Sequence, residues 1–388
     1  MSNNNDKKDN FRDGGTNASN TARRKRGKYG FSRKRKPRMY GALDLGTNNC
    51  RLLIARPIGQ GFRVVASFSR IVRLGEGLAE SGKLSDEAMD RTISALSICS
   101  EKLKSFEVVK TRNIATEACR RAENCEEFLT RIDQETGLGF EAISSSEEAR
   151  LALKGCQILL LEDASYALVF DIGGGSTEVI WARKNETEKE VAGFEILDVL
   201  SLPLGVVTLA EECGNYEINS DCYQKMVSDI SDQLPAFCER NGIRQKIAEN
   251  DVQMLGTSGT VTTLGAVHLG LSHYNRSLID GLDLTFNELD CATRKLTELD
   301  FQGRSEMPCI GDERAELVIP GCAILEAICK AWPVGQLRVA DRGLREGMLL
   351  ELMINDGVPV VGNPAANCRH DNGSDQIGEI NTGTGLQQ

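Results

Sequence analysis

The sequence predicts an α/β protein with helix-covered sheets, built on two domains. Three observations carry this: apolar strands alternate with helical patterns from residue 39 to about 356, a strand–turn–strand unit occurs twice, and polar segments flank the folded stretch. The chain has 388 residues, long enough for two ordinary cores. It has no apolar run near the ~18 residues of a membrane span and no apolar leader, so a cytoplasmic protein is expected.

The elements follow in order. Tyr40–Asp44 reads as a buried strand, Gly46-Thr47-Asn48-Asn49 as a polar turn, and Arg51–Ala55 as the returning strand. Helical spacing of Ala88, Ile93, Leu96 and Leu103 marks 85–106 as a helix with Ser85 as its cap. Val108–Ala115 is the next strand and Glu123–Ile132 the next helix. Ser146–Leu161 starts on a hydroxyl cap and stays helical through Ala149, Leu153 and Cys156. Tyr166–Phe170, Gly173-Gly174-Gly175 and Glu178–Ala182 then repeat the first hairpin. Val252–Leu255 leads through Gly256-Thr257-Ser258-Gly259-Thr260 into a helix ending near Leu269.

Charge and cysteines narrow the class. Residues 1–38 carry thirteen Lys or Arg against three Asp, whereas the whole chain is −10, so a polycation is fused to an acidic body. The plain reading of 1–38 is a solvated disordered tail; the sharper one is a contact for polyanions, nucleic acid or polyphosphate. Residues 357–388, rich in Gly, Asn, Asp and Thr, read as a second loose tail. Thirteen cysteines without a C-x-x-C pair fit neither zinc nor a disulfide framework and read as buried free thiols. Three histidines exclude a histidine-rich metal centre.

The chemistry sits in the repeated turn. Laying Asp44 on Asp171 also lays Gly46 on Gly173 and Arg51 on Glu178. Glycine lets successive N–H groups converge on an anion, and Thr47, Asn48, Ser176 and Thr177 add polar side chains. An Asp at each strand end, Asp44 and Asp171, can bind Mg2+ or its waters beside phosphate. Each of these turns runs into a strand, not a helix, which excludes Rossmann and P-loop readings. The third turn, with Gly256, Thr257, Ser258 and Gly259, opens a helix, where N–H groups favour anions.

Six motifs then resemble one family. Leu43-Asp44-Leu45-Gly46-Thr47-Asn48, Ala115 to Ala122, Ile143 to Ala149, Asp171 to Glu178, Gly256 to Thr260, and Arg342-Gly343-Leu344-Arg345-Glu346-Gly347 are similar, in order, to the exopolyphosphatase/guanosine pentaphosphate phosphatase (Ppx/GppA) family. The resemblance implies two actin-like, ribonuclease H-like domains facing each other across a cleft: 39–146 plus 340–356, and 147–339. It implies Glu148 as general base, Glu178 and Asp171 as acidic partners, and Arg120 as a phosphate contact. Glycines 173–175 with Ser176 and Thr177 would hold phosphate against Gly46, Thr47 and Asn48. The expected reaction is Mg2+-assisted hydrolysis of terminal phosphate from inorganic polyphosphate. Guanosine pentaphosphate, with its tetraphosphate product, is the alternative substrate; an actin-like ATPase or kinase and a non-catalytic polyanion binder are weaker ones. The match ending near residue 352 is similar to the family's short two-domain form. A homodimer stays open at this point.

Overall fold

The structure is a computed structural model and describes residues 38–161, 163–185, 193–214 and 218–360, apart from the side chain of Glu313. The disorder expected for most of 1–38 and of 357–388 falls outside that range. Val358 and Val360 do not belong to a loose tail: both pack on the first sheet, beside Tyr40 and Phe62.

Two sheets form. The first contains β1 (Met39–Leu45), β2 (Asn49–Ile58), β3 (Gly61–Ile71), β4 (Val108–Ala115) and β5 (Glu141–Ala142), in the order β3-β2-β1-β4-β5. The second contains β6 (Tyr166–Ile172), β7 (Thr177–Lys184), β8 (Phe194–Leu202), β9 (Val252–Thr257), β10 (Asp283–Thr285) and β11 (Gln336–Ala340). Its order is β10-β11-β9-β6-β7-β8. In each, an antiparallel meander of three strands is extended by parallel strands beside its first member, and in the second sheet β10 closes the edge antiparallel to β11. This doubled order is that of the actin-like fold. The registers pair Asp44 with Arg51 and Asp171 with Glu178, the same correspondence as the sequence repeat.

Period-two burial explains how the layers assemble. On β1, Leu43 and Leu45 face a core with Leu96 and Phe128, while Tyr40 and Ala42 face Met348, Leu349 and Met353 of the final helix, Leu344–Asn355. On β6, Leu168 and Phe170 join the large core containing Trp332, whereas Ala167 and Val169 face Leu153 and Cys156 of the helix Ser145–Cys156. These two helices cross with their backbones in contact. A Cβ on Gly347 would overlap the Leu151 carbonyl, and one on Gly155 would overlap that of Gly343.

Several expectations need correction. The helix over 146–161 starts one residue earlier and is capped by Ser144, whose hydroxyl accepts from Glu147 N; past Cys156 it tightens into a 3₁₀ turn, Gln157–Leu159. The helix placed at 123–132 runs from Cys125 to Thr136. Cys213 and Cys222 form a disulfide with Cα atoms 6.4 Å apart, so the cysteines are not all free thiols. Cys213 caps the helix Val206–Glu212, and Cys222 lies in the first turn of the helix Ser220–Ser231. Cys291, moreover, is exposed. Among the described residues, no helix is long and apolar enough to cross a membrane.

Candidate active site

A cleft of about 750 Å3 is lined by both hairpin turns, by the third glycine turn and by Ala340–Glu346. The turns meet at its floor. A Cβ on Gly174 would lie 3.3 Å from Asn48, and one on Gly175 only 2.5 Å from the Thr47 hydroxyl, so only glycine allows this approach.

The backbone of both turns is sorted by polarity. Asn48 O accepts from Val72 N (2.8 Å) and Arg73 N (3.0 Å), and Thr47 O from Gly75 N (2.9 Å). In the second turn, Gly173 O accepts from Val206 N (3.0 Å) and Gly174 O from Val207 N (2.8 Å). The N–H groups of Thr47, Asn48, Gly174 and Gly175 have no acceptor among the described residues. All four residues line the same cleft, and unpaired N–H groups in such turns are suited to anionic oxygens. The Thr47 side-chain oxygen is also buried without a partner. In the second turn the hydroxyls are used differently: Thr177 donates to Leu204 O (2.8 Å) and Ser176 to Glu178 (2.8 Å). Thr177 therefore supports the loop and, unlike Ser176, is not among the residues that line the cleft.

Asp44 and Asp171 end the two matching strands, line the cleft and repel one another across it. Burial raises both carboxyls, Asp171 to about 6, against the pull of Arg51 and Arg345. The donor set suits a hard cation: two hard carboxylates, each half-buried at the cleft, and a buried hydroxyl without a partner, that of Thr47. No cluster of three metal-ligating side chains occurs among the described residues. Mg2+ characteristically keeps waters and takes one or two carboxylates.

Glu148 lies in the first turn of the Ser145–Cys156 helix and lines the same cleft. Burial raises its pKa well above the ordinary value, with Glu178 adding like-charge repulsion and Arg120 opposing both. Glu178, only 1% exposed, accepts from Ser176 (2.8 Å) and Ser201 (3.1 Å) and is raised by burial to about 7.

Arg120 departs most from expectation. Its guanidinium lies 2.6 Å from Glu148, 2.8 Å from Glu117 and 3.8 Å from Glu178, and donates to Ile143 O (3.0 Å). Neither Arg120 nor Glu178 lines the cleft; both stand behind Glu148. The cations that do reach it include Arg51, Arg276, Arg314, Arg342 and Arg345. Arg276 is committed to Glu346 (2.9 Å), and Arg342 to Asp280. Arg51 and Arg345 have no ion pair among the described residues, and both act on Asp44 and Asp171. Sequence reasoning gave these two no role, although Arg51 stands directly opposite Asp44 in the hairpin register.

The Ppx/GppA phosphatase family matches residues 53–356. Among solved structures, the chain is similar to the Aquifex aeolicus Ppx/GppA family member at 26% identity, with 83% of this chain and 99% of that one covered and a TM-score of 0.66. A second Aquifex aeolicus structure, of a PPX-GPPA enzyme, gives 28% identity over 81% of this chain and 100% of that one, with a TM-score of 0.65. An exopolyphosphatase from Cytophaga hutchinsonii gives 25% identity, 83% and 99% coverage, and a TM-score of 0.72.

Proposed function

Since the chain belongs to the Ppx/GppA phosphatase family, we propose that it hydrolyses the terminal phosphate of a phosphoanhydride chain, with inorganic polyphosphate as substrate. One observation carries the reading: two abutting turns present unpaired N–H groups to a cleft that also holds a buried, pKa-raised carboxylate, Glu148.

In this reading the turns grip the penultimate and terminal phosphates, and Arg51 and Arg345 offset their charge. Glu148 takes a proton from a water placed behind the terminal phosphorus. The new P–O bond forms as the bridging P–O bond breaks, and the shortened chain leaves as an anion. Arg120 keeps Glu148 ionised enough to accept that proton, while Glu178 raises its affinity for it. Asp44 and Asp171 would hold Mg2+, which when bound neutralises phosphoryl oxygens. The basic segment at 1–38 would add long-range capture of a polyanion. Guanosine pentaphosphate is favoured as a second substrate by one feature, the ring of Tyr274 in the cleft wall.

Phosphate release from long polyphosphate, guanosine pentaphosphate and ATP, with and without Mg2+, tests this. Polyphosphate should be cleaved in Mg2+, and Glu148→Ala should lower kcat by about 10²-fold or more. Release from ATP alone, or full activity in the variant, would overturn the proposal.

A further inference from the structure

One loop occupies the carbonyl oxygens of the first turn. Arg73 N donates to Asn48 O (3.0 Å) and Gly75 N to Thr47 O (2.9 Å), so the placement of loop 72–77 sets that of the turn. The loop is itself fixed from the helix Asp86–Ser105: Arg91 donates to Val72 O (3.1 Å) and pairs with Glu76 (2.6 Å).

The same loop reaches the second sheet's side of the molecule at two points. The Arg73 guanidinium lies 2.8 Å from Glu316, which stands two residues before the helix Val318–Ala331 in the core of the second sheet. Gly77 N donates to Glu211 (3.3 Å), in the helix Val206–Glu212 whose first two amides hold the carbonyls of Gly173 and Gly174. The supports of the two turns are therefore bonded to each other as well as to their turns. Neither Arg73 nor Glu316 lines the cleft, although Arg314 and Leu317 on either side of Glu316 do. Most exposed ion pairs contribute little. Here the Glu316 side chain is only 14% exposed, and the carbonyl of its neighbour Ala315 accepts from the buried Arg304 (3.1 Å). A bridge with one anchored end transmits position as well as charge.

We propose that Arg73 and Glu316 are a positioning pair: the bridge fixes the spacing of the two glycine turns, and with it the grip on a phosphate chain long enough to engage both. This rests on the reading of the turns as a phosphate site.

The length of the anion separates this role from others. Tripolyphosphate is long enough to reach both turns, whereas inorganic phosphate needs only one. Titration calorimetry in a Glu148→Ala background, where turnover is slow, reads both affinities. Arg73→Gln and Glu316→Gln should each weaken tripolyphosphate binding by about fivefold, the upper range for an accessible ion pair. Inorganic phosphate affinity should not change. On polyphosphate, with Glu148 intact, the loss should fall on KM and leave kcat as it was, since the pair touches no reacting atom. The double variant Arg73→Gln/Glu316→Gln should be no worse than either single one, and the exchange Arg73→Glu/Glu316→Arg should recover most of the affinity. Equal losses for both anions would mean a general loss of structure or of positive charge and would overturn the spacing role. Additive single losses, or an exchange that recovers nothing, would overturn it too. A protein that binds neither anion with the bridge intact would overturn the phosphate reading of the turns, and the pair's role with it.

Discussion

Glu178 gives the most quantitative prediction. Its carboxyl is almost fully buried, keeps two serine donors, and titrates at about 7 against an ordinary 4.5. A group whose folded pKa is raised stabilises the fold fully below its unfolded pKa, and that contribution is lost as pH rises through the folded value. At about 1.4 kcal/mol per tenfold change in proton affinity, the ionised residue costs the fold about 3 kcal/mol at pH 8 and under about 1 kcal/mol at pH 5. Glu178→Gln cannot ionise and can still accept from both serines. It should therefore melt about 5 °C above wild type at pH 8, taking about 2 °C per kcal/mol for a protein of this size, and close to wild type at pH 5. Thermal denaturation at the two pH values reads this directly. An equal gain at both would mean packing rather than ionisation, and no gain at pH 8 would refute the argument.

The same substitution should move catalysis the opposite way along the pH axis. Without Glu178's charge the Glu148 pKa falls, so the acid limb of the kcat profile should shift to lower pH by about one unit; an unmoved limb would remove Glu148 as the titrating base. Thr47→Val should leave stability unchanged or slightly raised, since the hydroxyl it deletes is buried without a partner. It should also raise KM for polyphosphate; a marked loss of stability would contradict the first part. Gly347→Ala forces a Cβ into the Leu151 carbonyl and should destabilise by about 2 kcal/mol or more; a wild-type urea midpoint would show that the helix crossing relaxes freely.

The parts of this fold legible in the sequence are those where local chemistry and tertiary demand coincide. The two hairpins read clearly because each of β1, β2, β6 and β7 contains an unbroken apolar run, such as Leu52–Ala55 and Val179–Ala182, and their turns need glycine. β3 goes unassigned although its pattern is that of a half-exposed edge strand: Phe62, Val64, Ala66 and Phe68 alternate with Arg63, Ser67 and Ser69, and only Val65 and Arg70 blur the period. β8, the edge of the second sheet, hides because its polar residues Glu195, Asp198 and Ser201 stand three apart, which is not a strand's period of two. At the site, the glycine turns were readable as residue types in a pattern, whereas Glu148 came only with the family resemblance, because an acidic residue in a helix's first turn is by itself ordinary. That Arg120 stands behind Glu148, while Arg51 and Arg345 face the cleft, depends on which side of a strand or helix each occupies after the sheets assemble. The Cys213–Cys222 bond depends likewise on how the ends of two helices come together.

The backbone sorting at the two turns carries a last consequence. Loop 72–75 and residues 206–207 occupy the carbonyl oxygens, and the amides are left to the cleft. A peptide amide neither gains nor loses a proton in the working range of an enzyme. Under the proposed function, the main-chain grip on an anion would therefore be blind to acidity, whereas the carboxylates beside and behind it would not. Recognition and reaction would then fall to different kinds of atom, and the backbone's contribution to affinity would stay level across a range of pH over which turnover rises.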